Sequence, residues 1–289
     1  MSETKKRNMG PIYVMITGLL FSFGGLCIKS VPWNGLAINS FRCILSGTVV
    51  WIGAKVLGHK LHVNKHILLS ALALAATNCL YTSAVKLTTA GAAIVIQFTV
   101  PVWTMIFGLI LYHKKPRGGD ILACICVFAG IAICFYEGLA EGRTAGNLLA
   151  LLSGMTYSSV FMSNSAEDAD PFSSSILGHY ISVLIGLPWL LKADFSAMTG
   201  KSWIALIFMG IVQMGFSYIF LNVGLETTPP VTACLMTGIE PVLNPIWVAL
   251  LYGEPITFLF ALGGTIVLVS VIVYQRWIAK QEALGGPPG

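Results

Sequence analysis

"YTSAVKLTTAGAAIVIQFTVPVWTMIFGLILYHKK", residues Tyr81 to Lys115, returns later in the chain as "YIFLNVGLETTPPVTACLMTGIEPVLNPIWVALLYGEP", residues Tyr218 to Pro255. The threonine pair, the proline inside an apolar run and the closing Leu-Tyr all recur. Thr88, Pro101 and Tyr112 fall on Thr228, Pro241 and Tyr252 at a constant offset of 140. Composition says in which solvent these copies live. Of the 289 residues 56% are hydrophobic and 10% charged, where a soluble domain carries roughly 25% charged residues. That is the composition of a chain surrounded by lipid.

Broken at charges and at Gly/Pro clusters, the chain gives ten apolar runs, at about 11–31, 34–57, 66–86, 88–112, 118–136, 143–163, 172–191, 202–222, 228–252 and 256–278. Each has roughly the 20 residues that cross about 30 Å of hydrocarbon. Barrel strands would alternate inward and outward residues, whereas these runs are continuously apolar. The expected fold is all-α, a polytopic membrane protein of ten transmembrane helices. "KKR" (Lys5 to Arg7) precedes the first run, but that run is longer than a signal peptide's apolar region and no A-x-A-like cleavage site follows it. It counts as helix one.

Five spans per half is an odd number, so the second copy enters the membrane from the opposite side. The two halves form an inverted-topology repeat, an arrangement able to rock about a midplane site. The expected organisation is an N-terminal segment at 1–10, a first five-helix repeat at 11–137, a second at 143–278 and a tail at 279–289 that ends in "GGPPG". Lys and Arg number eleven on the side of both termini and five on the other. The positive-inside bias therefore puts both termini in the cytoplasm. The net charge of +5 reports topology and requires no nucleic acid. Seven cysteines fall within the runs and read as small buried hydrophobes.

Several segments resemble the EamA-type branch of the drug/metabolite transporter superfamily. They are "TGLLFSFGGLCIKS" (Thr17 to Ser30), "INSFRCILSG" (Ile38 to Gly47), "EPVLNPIWVALLYGEPIT" (Glu240 to Thr257) and "LGGTIVLVSVIV" (Leu262 to Val273). The family's Pro...Gly-Glu signature lands on Pro241, Gly253 and Glu254, while the first repeat keeps Pro101 and has Lys114 in place of the acid. The resemblance implies ten helices in two repeats and an inner-membrane exporter of amino acids or related metabolites. It also implies a cavity between helices 1, 3, 4, 6, 8 and 9.

Within that frame Glu240 is the residue whose position needs a reason. A carboxylate at the bilayer centre costs at least about 2.5–3.5 kcal/mol, so it faces a wet cavity, pairs with a cation or is protonated. Thr237, Glu240 and Asn244 share one face of helix nine at i, i+3, i+7 spacing, and Pro241 kinks the helix beside them. The matching stripe on helix four is Gln97, Val100 and Thr104, polar without a charge. Arg42 lies at similar depth, roughly 12 Å from one helix end at 1.5 Å per residue. It either pairs with Glu240 or snorkels outward. A purely structural role for Glu240 is the competing reading, against one in proton coupling.

Amides, hydroxyls and aromatics on the cavity helices complete the candidate substrate site: Asn78, Tyr81 and Thr82 on helix three, Trp103 on four, and Tyr157, Phe161 and Asn164 on six. Helix eight adds Gln213, Phe216, Ser217 and Phe220. Equally, such residues can be hydrogen-bonding surfaces between helices. The glycines Gly18, Gly24, Gly25, Gly130, Gly263 and Gly264 suit close helix approach. His62 and His66 sit in a basic loop without a further nearby ligand, so no metal is expected. No H-E-x-x-H, G-x-S-x-G or P-loop occurs, so no catalytic residue or cofactor is assigned. The expected activity is secondary transport of a small molecule, amino-acid-like by preference, with protons as a candidate coupling ion. An exporter of organic cations with Glu240 as counter-ion is the alternative within transport, and a structural membrane protein the one outside it.

Overall fold

The computed structural model describes residues 3–112, 118–164, 168–225, 228 and 237–283. Every regular element among them is a helix. In chain order these are α1 (Glu3–Phe21), α2 (Gly24–Lys29), α3 (Gly35–Val56), α4 (Lys65–Leu87), α5 (Ala90–Gln97), α6 (Val100–Tyr112), α7 (Gly118–Ala140), α8 (Thr144–Asn164), α9 (Pro171–Leu190) and α10 (Gly200–Phe208). A π-helical segment (Met209–Phe216) then leads into α11 (Ser217–Leu225), followed by α12 (Glu240–Tyr252) and α13 (Phe258–Ala283). Cys234, Lys114 and the terminal "GGPPG", each singled out in the sequence, lie outside the described residues.

Six described helical stretches are long and apolar enough to cross a membrane: Met9–Lys29, Gly35–Val56, Lys65–Leu87, Ala90–Ile110, Pro171–Leu190 and Gly200–Leu225. The other expected runs fall on α7, α8, α12 and α13, helical but shorter or less apolar in their described parts. Large apolar side chains such as Ile125, Leu184, Ile204, Leu250 and Val273 point outward. An apolar exterior is what an integral membrane protein presents to lipid, which competes with the core for the same residues.

Helix starts follow local chemistry. Asn34, Asn64, Thr89, Asp170 and Thr199 each accept a backbone N–H of the first turn of α3, α4, α5, α9 and α10, which satisfies donors that the helix itself cannot. The interruptions are equally local. The α5–α6 break at Phe98–Thr99 precedes Pro101, and α12 begins at Glu240–Pro241. Both prolines sit in the first turn of their helix, where a missing N–H costs nothing, and these two helix starts lie 140 positions apart.

The packing brings the chain halves together. α3 lies on α9, α4 on α8 and α9, and α7 on α13, while α1 lies on α11. Gly130 and Gly263 allow the α7–α13 approach: a Cβ on either would lie 2.7 or 2.8 Å from the other's carbonyl oxygen. Hydrogen bonds define two ends. One end joins residues 29–34 to 86–90, 194, 202 and 254. The opposite end, where α3 finishes, joins the 57–64 connection to residues 168–173.

Candidate transport site

A cavity runs from the middle of the bundle toward the α3-finishing end. Its walls include Gln97, Phe98 and Val100 at the α5–α6 break, Tyr157 and Phe161 on α8, and Thr237 and Glu240 at the start of α12. Phe21, Ile94, Leu221 and Leu225 supply the apolar remainder. Its volume is about 50 Å³, room for a few waters at about 10–15 Å³ each. A metabolite therefore requires the helices to part further.

Five of the candidate residues thus share one cavity, each placed there by a distinct element. Gln97, the last residue of α5, donates from Nε2 to Ser153 Oγ at 3.2 Å, which ties the α5–α6 break to α8. Tyr157 and Phe161 stand one turn apart with ring centroids at 5.0 Å. Thr237 precedes the turn into α12, and Glu240 opens that helix. Among the described lining residues Glu240 is the one with an ionisable acid or base other than tyrosine.

The other candidates lie elsewhere. Asn244 is fully buried against the α2 backbone: a Cβ on Gly25 would sit 2.5 Å from its Oδ1. Asn78, Tyr81 and Gln213 are buried, with Asn78 Nδ2, the Tyr81 hydroxyl and Gln213 Oε1 left without partners. Gln213 Nε2 donates to the Phe21 carbonyl at 3.3 Å. Thr82 donates to its own helix at Asn78 O, and Ser217 sits in the α1–α11 contact, where its carbonyl accepts from Thr17 Oγ1. Trp103 packs with Phe107 and Phe128, Phe216 is 43% exposed beside Phe220, and Asn164 Oδ1 accepts from Ser174 Oγ.

Arg42 neither snorkels nor pairs. It is 3% exposed, its Nε donates to Asn39 Oδ1 at 3.1 Å, and Nη1 reaches the Met209 sulfur at 3.9 Å. No described carboxylate lies within ion-pairing distance of it. Tyr81 stands within electrostatic reach of both Arg42 and Glu240.

Sequence reasoning marked Glu254 through the family signature and His62 and His66 as loop residues without their partners, and it passed over His59 and His179. Glu254 accepts the Ala90 backbone N–H at 2.8 Å and pairs with Lys29 at 3.0 Å, so the acid closes the start of α5 from the other half of the chain. His179, fully buried on α9 beside Tyr218, was hidden in an apolar run. His59, His62 and His66 meet Asp168 and Asp170 across the chain, a pairing that only the α3–α9 packing brings about. Among the described residues no cluster has the makings of a metal site.

Comparisons with known proteins agree on class. The EamA-like transporter family matches residues 8–136 and 144–275. An uncharacterized transporter, YwfM of Bacillus subtilis (strain 168), is 22% identical over 288 residues, 96% of this chain and 97% of that protein. The biotin transporter of Escherichia coli (strain K12) is 23% identical over 196 residues, 64% of this chain and 66% of that one. A crystal structure superposes with a TM-score of 0.68 at 17% identity, covering 95% of this chain and 99% of its own, a likeness of fold.

Proposed function

We propose a transport cycle from one premise: the chain belongs to the EamA-like transporter family, whose match takes in both halves of its length. The protein moves a small metabolite, amino-acid-like or related, across the inner membrane by alternating access. Export is the proposed direction, with both termini in the cytoplasm. Ten crossings form two inverted repeats, at 11–137 and 143–278.

The observation that carries this reading is the meeting of the α5–α6 break with the start of α12 at a cavity holding Gln97 on one side and Thr237 and Glu240 on the other. Discontinuous helices at a repeat interface place polar backbone and side chains where a solute can use them. The packing supports exchange symmetry between halves. Replace each helix by its counterpart five spans along, and the α4–α8 contact becomes the contact of α1 with α11 and the π-helical segment, while α3–α9 and α7–α13 map onto themselves. A specific observation favours organic cations as the second reading: among the described lining residues there is a carboxyl, Glu240, and no basic side chain.

Proteoliposome flux tests the cycle. Single-cysteine labelling at Gln97→Cys and Thr237→Cys is expected to report access from each face in turn, and access from one face only, with or without solute, overturns it. Glu240→Gln keeps the shape of the acid and removes its titration. Flux driven by a pH gradient is expected to fall by at least about tenfold, the scale of 1.4 kcal/mol, while solute binding persists. An unchanged pH dependence makes Glu240 a structural hydrogen-bonding group.

A further inference from the structure

The cavity does not account for Arg42. A guanidinium carries five N–H donors in a planar fork suited to two oxygens of one carboxylate, and inside a bilayer it is costly unless satisfied. Here an amide oxygen and a thioether are its acceptors. The surrounding groups are thiols, a phenol and an imidazole: Cys27, Cys43, Cys79, Tyr81 and His179 all lie within its electrostatic reach. None of them is a carboxylate.

Unpartnered polar atoms occur on α4 and the π-helical segment, which pack on α3, and on α12, which packs on α2. The buried Tyr81 hydroxyl is near Asn244 without completing a hydrogen bond, and both polar side-chain atoms of Asn244 lack partners. Gln213 Oε1 is likewise free. Glycines hold these groups close: a Cβ on Gly24 would lie 3.0 Å from Gln213 Nε2, and one on Gly210 would lie 3.2 Å from the Arg42 carbonyl. Gly210, Met209 and Gln213 belong to the eight-residue π-helical segment, a geometry found mostly as single turns at functional positions. A buried polar group without a partner costs about 1–3 kcal/mol. Several on one centre mark a place that something polar completes.

We propose that Arg42, Tyr81 and Asn244 form an anion-receiving subsite, next to the Glu240 cavity, that takes the carboxylate of the transported solute. The proposal rests on the transport reading and narrows it. Tyr81, within electrostatic reach of both Arg42 and Glu240, links the two. A solute with a carboxylate at Arg42 and an ammonium at Glu240 satisfies both buried charges at once. The amide of Asn244 can donate to the former and accept from the latter, as Gln213 Oε1 can accept. A purely cationic solute leaves Arg42 as it stands.

The test is a binding panel on the purified full chain in lipid nanodiscs, read by thermal shift and isothermal titration: the twenty amino acids, their amides and their decarboxylated amines. Binding is expected from at least one amino acid and to weaken at least tenfold in its amide and amine. Arg42→Gln and Tyr81→Phe are expected to abolish that preference, leaving the weaker amine binding within twofold of wild type. Equal affinity for an amino acid and its amine overturns the subsite, as does a panel in which nothing binds. So does an Arg42→Gln chain that folds only alongside Glu240→Gln, since the two charges are then a structural pair. Flux separates the readings: carboxylate-dependent binding without counterflow keeps the subsite and removes transport, and counterflow indifferent to the carboxylate does the reverse.

Discussion

The two ends of the bundle are closed by different chemistry. Where α2 finishes, Lys29 Nζ holds the Glu254 carboxylate at 3.0 Å and the Thr88 carbonyl at 2.8 Å, and Glu254 in turn takes the Ala90 N–H. These side chains are 14% and 15% exposed. At the same end Trp33, Phe41, Phe195 and Trp203 form an aromatic cluster with contacting centroids 4.8–6.3 Å apart. At the opposite end, three histidines of the 57–66 stretch face Asp168 and Asp170, with the histidine side chains 33–56% exposed. The first end is a desolvated, fixed-charge closure. The second is wet and depends on protonation, and the cavity runs toward it. Strength and sensitivity are divided between the ends, as one side held shut while the other yields requires.

The largest expected effect comes from breaking the fixed closure. Glu254→Ala strands the Lys29 ammonium and removes a cap from α5, losses that together amount to about 2–3 kcal/mol. Thermal denaturation in nanodiscs should show the drop, and thiol labelling of Gln97→Cys from the α2-finishing face should rise in the double variant. A Glu254→Ala chain with wild-type stability and unchanged labelling erases the distinction between the ends.

This contrast was only partly legible in the sequence. The repeat exposed the two proline breaks, because Pro101 and Pro241 keep their register, and Glu240 stood out as an acid in an apolar run. Glu254 stood out as the acid of the Pro...Gly-Glu signature, but its partner Lys29 did not, since their meeting depends on how α2, α5 and α12 converge. The apolar cavity walls Phe21, Ile94 and Leu221 carry no local sign that separates a wall from a lipid contact. Arg42 illustrates the limit most clearly: its depth matched Glu240, but lateral position is set by packing, and Tyr81 stands within reach of both.

A middle-sized effect sharpens the comparison at the seam that must stay rigid whichever end opens. Gly130→Ala would place a methyl 2.7 Å from the Gly263 carbonyl and 2.8 Å from Val267 Cγ2, an overpacking of about 1–3 kcal/mol. Gly58→Ala, in the connection after α3, meets no atom within 4 Å but has φ of +71°, so its cost is confined to about 1 kcal/mol of backbone strain. Parallel melting curves check the order. If Gly58→Ala is the more damaging, the α7–α13 contact is looser than its glycines suggest.

The smallest effect tests the wet end through Asp170, which caps α9 with bonds to the N–H groups of Phe172 and Ser173 and faces His59 at 2.9 Å. Burial pushes its carboxyl up, but hydrogen bonds from Ser173 and His59, with the attraction of that histidine, outweigh it and hold the group below its ordinary 3.8. The sign follows from linkage. A carboxyl lowered in the folded state contributes stability that is complete well above 3.8 and is lost as pH falls through its folded value. Asp170→Asn retains one oxygen for capping and loses the charge, so at pH 7 it is expected to cost about 1 kcal/mol. The gap between wild type and variant should close as the pH is taken from 5 toward 3. A gap for Asp170→Asn that stays constant over that range would mean that its oxygens act only as neutral caps, and the protonation-dependent closure would be wrong.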